Sequence, residues 1–305
     1  MFTNHTCLHV SNLAKSVQWY TNTFAMKTVK QLETSKYNSV FVAFDSAGHP
    51  HAGKPLAQRD GVVELRKLKN STAKVYDGNS EPYKGFGHLC VSVNNIAKAQ
   101  QDFLTKGVDF KKKLEDGRQK NIAFVLDPDG YWIELIENAL DKSSEVNPVA
   151  YRLNHTMIRV KDPKVSLKFY QDVLGMKLFS TRDFPAADFT LYFLGYEHDK
   201  SYVENKEDSL VQAARQSIVE LTHNYGTESD ASFKGYHVFD KDTDKAIGFD
   251  HIAVSIDDIE STIAKIGSGG NWITKFNQDP ELKGTGLLTD PDGYKIQIQS
   301  FDAFQ

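Results

Sequence analysis

Strand-like and helix-like apolar patterns alternate along the chain. The pattern predicts a strand over residues 4–10 and, from apolar side chains placed three or four positions apart, a helix over residues 11–25. Further strand-like stretches lie at about residues 27–33, 38–44 and 61–66. These elements predict one βαβββ module.

The same order of elements is predicted three more times. The strands and helices of these later modules are predicted at residues 86–93, 95–106, 109–112, 121–126 and 131–137, then 154–160, 163–173, 177–182, 188–194 and 217–222, then 249–255, 257–266, 272–275, 285–289 and 294–299. The polar stretch at 140–150 is predicted to link a first domain, residues 1–139, to a second, residues 151–305.

Four short motifs recur in the same order in both halves of the chain, although no single one of them is diagnostic. They are Asn4-His5-Thr6 and Asn154-His155-Thr156, Glu64 and Glu220, Gly85-Phe86-Gly87-His88 and Gly248-Phe249-Asp250-His251, and Asp127-Pro128-Asp129-Gly130-Tyr131 and Asp290-Pro291-Asp292-Gly293-Tyr294. Ordered recurrence of this kind indicates an internal duplication.

The recurring motifs carry histidine and glutamate side chains that could meet on a sheet. Asp-Pro-Asp-Gly is a turn signal that leads directly into a strand. On that strand Glu134 points to the face opposite Ile133 and Leu135, because successive side chains alternate. A single histidine or glutamate in such a pattern is more often a structural or solvent-facing residue. Two duplicated sets favour metal ligands instead.

Composition narrows the class of protein. The chain has 305 residues, of which 40% are hydrophobic and 25% charged, as in soluble globular proteins, and this length allows two domains. A net charge of −4 argues against a nucleic-acid or anionic-membrane partner. Cys7 and Cys90 stand in apolar stretches and are expected to be reduced, which predicts a cytoplasmic protein. No signal peptide or membrane span is predicted.

With these motifs in place, the sequence resembles the glyoxalase I (lactoylglutathione lyase) family, in the long two-domain form found in fungi. The resemblance covers nearly the whole chain. It is densest in the segments beginning at Gly85, Asp127, Asn154, Leu191 and Glu220. It implies the vicinal oxygen chelate fold: an α+β protein in which four βαβββ modules pair into two glyoxalase-like domains.

The resemblance also implies two metal sites, each drawn from two modules. One combines modules two and three and takes His88, Glu134, His155 and Glu220, which we call site 2/3. The other combines modules one and four and takes His5, Glu64, His251 and Gln297, which we call site 1/4. Two imidazoles and two carboxylates suit Zn²⁺, with Ni²⁺, Co²⁺ or Fe²⁺ as alternatives.

Substrate-binding residues are carried over by the same resemblance. Arg159 and Asn224 would hold the glutamyl end of glutathione, while Lys84, Lys112 and Arg118 would supply positive charge for its glycyl end. The family more often has arginine at the place of Lys84. Phe184, Phe189, Leu191 and Phe193 would line a pocket for the acyl group, or would simply be strand core.

Site 1/4 departs from the family pattern. His9 and Leu68 stand where module three has Arg159 and Asn224, and Gln297 replaces a carboxylate. An amide oxygen can still coordinate a metal, so metal binding there stays open. The sequence predicts one functional and one degenerate site.

The implied reaction is isomerisation of the glutathione–methylglyoxal hemithioacetal to S-D-lactoylglutathione through an enediolate. Glu134 would be the main base, with Glu220 as ligand and second base. Two alternatives remain: an Fe²⁺-dependent extradiol dioxygenase of the same fold, and a catalytically weak metal- or ligand-binding member. Because one chain holds both halves of each site, a monomer is predicted.

Overall fold

Our computed structural model of the protein describes residues 1–198, 202–239, 245–267 and 270–304. The strands are β1 (Phe2–His9), β2 (Lys27–Glu33), β3 (Tyr37–Ala43), β4 (Val62–Leu68), β5 (Lys74–Val75), β6 (Phe86–Val93), β7 (Phe110–Lys112), β8 (Ala123–Leu126), β9 (Trp132–Glu137), β10 (Arg152–Val160), β11 (Lys177–Phe184), β12 (Phe189–Gly195), β13 (Ile218–Asn224), β14 (Ala246–Ile247), β15 (Phe249–Ile256), β16 (Asn271–Thr274), β17 (Thr285–Thr289) and β18 (Lys295–Ser300). The α-helices are α1 (Leu13–Phe24), α2 (Ile96–Thr105), α3 (Pro163–Lys168), α4 (Ser209–Ala214) and α5 (Ile259–Gly267). The four predicted βαβββ modules and the α+β class are confirmed.

Two eight-stranded sheets dominate the structure, and each contains strands from both halves of the chain. Sheet 1 has the order β16-β17-β18-β15-β1-β4-β3-β2, and sheet 2 has the order β11-β12-β13-β10-β6-β9-β8-β7. Module one therefore continues into module four, and module two into module three, through the antiparallel central pairs β1/β15 and β10/β6. The proposed boundary between residues 139 and 151 separates the sequence repeats, whereas the sheets cross it.

Local sequence signals explain where the elements begin and turn. Asn12 caps α1 by accepting a hydrogen bond from the amide of Lys15. Pro163 opens α3, and Gly175 adopts a positive φ of 73° just past the helical turn that follows. In the first Asp-Pro-Asp-Gly turn, the carboxylate of Asp127 accepts hydrogen bonds from the amides of Asp129 and Tyr131.

The two Asp-Pro-Asp-Gly turns also hold the modules to one another. Asp129 accepts hydrogen bonds from the amide of Ser11 in module one, and Asp292 accepts them from the amide of Lys161 and the hydroxyl of Ser166 in module three. Each turn thus joins its sheet to the helix-bearing segment of the other. The turns are structural joints as well as strand starts.

Some elements were absent from the predicted pattern. The short strands β5 and β14 form a separate two-stranded parallel sheet, and α4 lies in the long insertion of module three. The end of the predicted helix 163–173 is a π-helical segment, Phe169–Val173. Within the described residues, no helix is long and apolar enough to cross a membrane.

Candidate active site

The residues of site 2/3 lie on one face of the four central strands of sheet 2. Glu220 and His88 are both paired in register with Met157, one on each side. The other two residues of the site, on β9 and β10, are both paired with Cys90. Paired residues project from the same face, so the four side chains converge.

The side chains of site 2/3 meet in a buried cluster. His155 Nε2 lies 3.3 Å from His88 Nε2, 3.1 Å from Glu134 Oε2 and 3.0 Å from Glu220 Oε2. His88 Nε2 lies 3.5 Å from Glu134 Oε2. All four ligand atoms are within 4.8 Å of one another.

These spacings fit a divalent metal. Ligand atoms at metal distances of about 2.0–2.2 Å stand roughly 3–3.5 Å apart from one another. Two imidazole nitrogens that face each other with lone pairs repel, unless one of them donates a hydrogen bond or a cation lies between them. The donor set of two imidazoles and two carboxylates is one that Zn²⁺ and similar ions accept.

Asn154 fixes the orientation of His155. Its side-chain oxygen lies 2.8 Å from His155 Nδ1, so that nitrogen carries the proton and Nε2 is left to bind a metal. The Asn154 amide nitrogen donates to the backbone carbonyls of Gln212 and Arg215, each at 2.8 Å. On β13, the Thr222 hydroxyl donates to Glu220 Oε1 at 3.1 Å.

Electrostatics in site 2/3 indicate a shortage of positive charge. Burial alone raises the pKa of Glu134, but the hydrogen bonds and charges of His155 and His88 outweigh burial and hold its pKa well below the usual range. Burial lowers the pKa of His155, yet the surrounding Cys90, Glu220 and Glu134 groups raise it well above the usual value. Among the described residues, neither carboxylate forms an ion pair with a lysine or arginine.

Replacing Asn154 with alanine is expected to weaken metal binding by about 10–100-fold, the usual scale for an outer residue that orients a histidine ligand. Competition with a metal chelator measures this change. Asn4→Ala is the matched control, because Asn4 makes the same contact with His5 Nδ1 and also donates to two backbone carbonyls. Equal losses of metal affinity in both variants would contradict the assignment to site 2/3.

Site 1/4 has the same arrangement of strands but a different set of charges. His5 Nε2 lies 3.2 Å from His251 Nε2 and 3.1 Å from Glu64 Oε2. His251 Nε2 lies 3.8 Å from the same Glu64 oxygen. Gln297 occupies the Glu134 position, and its amide donates to Gln299 at 3.1 Å. Three of the ligand residues are therefore present, and an amide replaces the carboxylate that is the fourth ligand in site 2/3.

In site 1/4, an arginine forms an ion pair with the carboxylate of the ligand set. Arg66 bonds Glu64 Oε1 through Nη2 at 2.7 Å and through Nε at 2.9 Å, and it reaches Asp250 Oδ2 through Nη1 at 2.7 Å. Lys295 holds the other Asp250 oxygen at 3.1 Å. Burial lowers the pKa of His5 to about 4, opposite in direction to the shift at His155. The carboxylate of site 1/4, Glu64, is thus paired with a cation, and so is the neighbouring Asp250.

The cleft beside site 1/4 is open and large. Its volume is about 830 Å³, and Arg66, Asp250, His251, Lys295 and Gln297 are among the lining residues. Volumes of this size are typical of small-molecule sites. The two positions that bind glutathione in the family pattern nevertheless carry His9 and Leu68 here, in place of Arg159 and Asn224. This agrees with the sequence comparison of modules one and three.

Comparison with known proteins agrees with this geometry. A family model described as the glyoxalase/bleomycin resistance protein/dioxygenase superfamily matches residues 3–135 and again residues 152–298. The chain is 42% identical to glyoxalase I of Saccharomyces cerevisiae, over 97% of this chain and 91% of that protein. It is 40% identical to lactoylglutathione lyase of Schizosaccharomyces pombe, over 97% of this chain and 95% of that protein.

The chain belongs to the glyoxalase I family. The crystal structure of glyoxalase I from Zea mays is similar in fold, with a TM-score of 0.67 and 25% identity over 98% of this chain and 92% of that one. The expectation that the chain is a lactoylglutathione lyase is confirmed by these relatives.

In this glyoxalase I family member, the predicted glutamyl-binding residues Arg159 and Asn224 stand on the neighbouring strands β10 and β13. Arg159 donates to Asn79 Oδ1 at 2.9 Å and to the Phe86 carbonyl at 3.0 Å. Asn224 donates to the hydroxyl of Tyr236 at 2.7 Å. Tyr236, which the sequence analysis did not single out, thus contacts Asn224, a residue that is predicted to bind glutathione. The glutathione-binding role of Arg159 and Asn224 stays a prediction.

The residues predicted for the glycyl end lie in different surroundings, and of their side chains that of Lys112 is hydrogen-bonded to the backbone. The Lys112 ammonium donates to the backbone carbonyls of Gln119 at 2.7 Å and Ile122 at 2.6 Å, so it holds the loop that joins β7 and β8. Arg118 is exposed in that same loop. Lys84 is half-buried, and its carbonyl accepts a hydrogen bond from the amide of His237. Their role toward substrate stays a prediction.

The predicted acyl pocket lies along β12, directly beside site 2/3. Phe193 is paired with Glu220, and its ring meets the His155 ring edge-on at 5.6 Å. Leu191 is paired with Thr222, and Phe189 with Asn224. The Phe189 ring stacks on Phe184 at 4.8 Å. Phe193 is 2% exposed and belongs to the core, whereas Leu191 and Phe189 are only partly buried.

Two features of the sites were missed in the sequence. The Asn-His-Thr repeat was recognised, but no role was given to Asn154 or Asn4, although the repeated asparagine was itself the signal. Arg66 was given no role in the sequence analysis. Since residues two apart on a strand share a face, the alternation of Glu64 and Arg66 could have revealed their contact.

Proposed function

We propose that the chain isomerises the hemithioacetal of glutathione and methylglyoxal to S-D-lactoylglutathione at site 2/3, and that site 1/4 does not contribute turnover. The observation that carries this proposal is the buried cluster of His88, Glu134, His155 and Glu220, with ligand atoms within 4.8 Å of one another. The relatives named glyoxalase I and lactoylglutathione lyase support the substrate class.

Site 2/3 would hold one divalent ion, with Zn²⁺ preferred on its ligand set and Ni²⁺, Co²⁺ or Fe²⁺ as alternatives. When bound, such an ion supplies Lewis-acid stabilisation of negative charge on the substrate oxygens. His155, fixed by Asn154, presents Nε2 to the site. His88 packs edge-on against Phe124, with 5.5 Å between the ring centroids. The histidine ligands are thereby held in orientation before substrate arrives.

The protein's own contribution to the chemistry is a proton transfer. Glu134 is ionised near neutral pH, because its neighbours hold its pKa well below the usual range, and an ionised carboxylate is the form that can remove a proton. It would take the proton from one substrate carbon and return it to the adjacent carbon. Glu220, fixed by Thr222, would be a ligand and could act as base for the other epimer.

Arg159 and Asn224 would orient the glutamyl carboxylate, since an arginine can bind a carboxylate through two hydrogen bonds. The side chains that would face the acyl group are Phe189, Leu191 and Phe193.

The protein is proposed to act in the cytoplasm as a monomer. Two observations support the monomeric state. Each sheet is completed within one chain, and both halves of each site come from that same chain.

Metal removal tests the proposed function. We expect the chain to form the thioester from methylglyoxal and glutathione, to lose that activity after dialysis against a strong chelator, and to regain it with one of Zn²⁺, Ni²⁺, Co²⁺ or Fe²⁺. Ultraviolet absorbance of the thioester follows the reaction. Oxygen consumption with a catechol is measured in parallel.

The outcomes separate the competing functions. Full activity in metal-free protein would refute the metal-dependent mechanism. No thioester with any of the four ions would leave a binding protein, and catechol-dependent oxygen uptake with Fe²⁺ would indicate a dioxygenase.

A further inference from the structure

Four of the positions that differ between the two sites form a pattern in charge. Relative to site 2/3, site 1/4 has Arg66 for Thr222, Lys295 for Trp132, Asp250 for Gly87 and Gln297 for Glu134. Two of the replacements add a cation, one removes an anion and one adds an anion. Over these four positions the net change is two positive charges, although Arg182, which interacts electrostatically with Glu220 and Glu134, is Leu32 in site 1/4.

Arg66 and Asp250 contact ligand residues of site 1/4 directly, whereas Lys295 contacts Asp250. Arg66 uses the oxygen of Glu64, Oε1, that corresponds to the Glu220 oxygen bonded by the Thr222 hydroxyl. Asp250 lies 2.9 Å from Nδ1 of His251 and binds both Arg66 and Lys295. The side chains of Glu64, Arg66 and Asp250 are at most 10% exposed. These are close, buried ion pairs, in which each charge depends on its partner.

The residues next to Asp250 and Gly87 explain why the ion pairs of Asp250 exist only in site 1/4. A Cβ atom added to Gly87 would lie 2.3 Å from Met157 Sδ, so a side chain at that place in site 2/3 would require the end of the Met157 side chain to move. The Met157 position is the smaller Cys7 in site 1/4, which leaves room for Asp250. Arg159 is not part of the comparison, because its guanidinium bonds carbonyls and Asn79 and not the carboxylates of site 2/3.

We propose that Arg66 and Lys295 replace the divalent ion in site 1/4, so that the chain binds one metal ion per molecule, at site 2/3. The cations neutralise Glu64 and Asp250 from within the protein. A metal ion placed between His5, His251 and Glu64 would lie close to the Arg66 guanidinium, and like charges at that distance repel. The proposal rests on the proposed function only in taking site 2/3 as the metal-binding site.

Metal content after dialysis tests the proposal, with zinc measured per chain. We expect one equivalent in the wild type and less than a tenth of that in His88→Ala, which removes a ligand of site 2/3 only. Gln297→Glu alone is expected to stay at one equivalent, because Arg66 still occupies Glu64. Arg66→Thr/Gln297→Glu recreates the site 2/3 residues at these two positions and is expected to bind two.

A thermal readout protects the test against misfolding. Arg66→Thr/Gln297→Glu leaves buried carboxylates unpaired, so we expect a lowered melting temperature without metal and a larger rise on adding zinc than in the wild type. Should this variant not fold at all, wild type and His88→Ala decide by themselves.

Several results would overturn the proposal. They are two equivalents in the wild type, one equivalent retained in His88→Ala, or one equivalent in folded Arg66→Thr/Gln297→Glu. A different result would refute the proposed function. If the wild type bound one equivalent of metal but formed no thioester, the function would be wrong, whereas the proposal that Arg66 and Lys295 replace the metal ion in site 1/4 would still hold.

Discussion

Glu134→Gln is expected to lower kcat for thioester formation by about 10²–10⁴-fold, the usual effect of removing a positioned acid–base group. The substitution keeps the size of the side chain and an oxygen that can coordinate a metal, so it removes mainly the proton acceptor. Glu134 Oε2 lies 3.1 Å from His155 Nε2, at the centre of site 2/3. Steady-state kinetics with varied hemithioacetal concentration, at a constant concentration of free glutathione, measure the change.

Glu64→Gln is the matched control in site 1/4. Glu64 is buried, contacts His5 and has the same strand position as Glu220, so a general effect of removing a buried carboxylate would appear in both variants. We expect activity per folded molecule close to that of the wild type. Circular dichroism corrects for unfolded protein, because Arg66 loses its carboxylate partner in this variant. Retained activity in Glu134→Gln, with loss in Glu64→Gln, would move catalysis to site 1/4.

Local sequence patterns were sufficient for the four βαβββ modules and for marking the histidines and glutamates that meet on the sheets. Alternation placed Glu134 opposite Ile133, and the repeated motifs marked the histidines. The pairing of module two with module three came only from the family resemblance. Residues far apart in the chain, such as His88 and His155, meet across a sheet, and no pattern within a module specifies which partner module completes that sheet.

The parts that were missed depend on contacts between distant segments. β5 pairs with β14 across more than half of the chain, which no local pattern encodes. The network of Arg66, Asp250 and Lys295 joins three strands of sheet 1. Its members look like ordinary surface charges in the sequence, because burial and pairing become visible only once the strands are aligned.

A pair of stacked phenylalanines joins the two sheets near both sites. Phe86 in sheet 2 and Phe249 in sheet 1 stack with ring centroids 5.0 Å apart and planes inclined by 7°. They are 1% and 3% exposed. Each lies two residues before a site histidine, His88 or His251. The pair therefore links the strand that carries one histidine to the strand that carries the other.

Tyrosines extend this contact on both sides. Tyr131 meets the Phe86 ring edge-on and donates from its hydroxyl to the His9 carbonyl in the opposite sheet. Tyr294 meets Phe249 in the same way and donates to the Arg159 carbonyl. Both sheets are thus held at one aromatic cluster, and the buried hydroxyl groups of both tyrosines are hydrogen-bonded.

Phe86→Ala is expected to lower the free energy of unfolding by about 3–5 kcal/mol, because it removes a fully buried ring and leaves a cavity where the sheets meet. Urea denaturation measures the change, and Leu104→Ala, at a 43% exposed position, should stay within about 0.5 kcal/mol of the wild type. Adding Phe249→Ala should cost less than in the wild-type background, by about 0.5–1.5 kcal/mol of lost ring stacking. Fully additive losses would show that the rings stabilise their own sheets separately and do not join them.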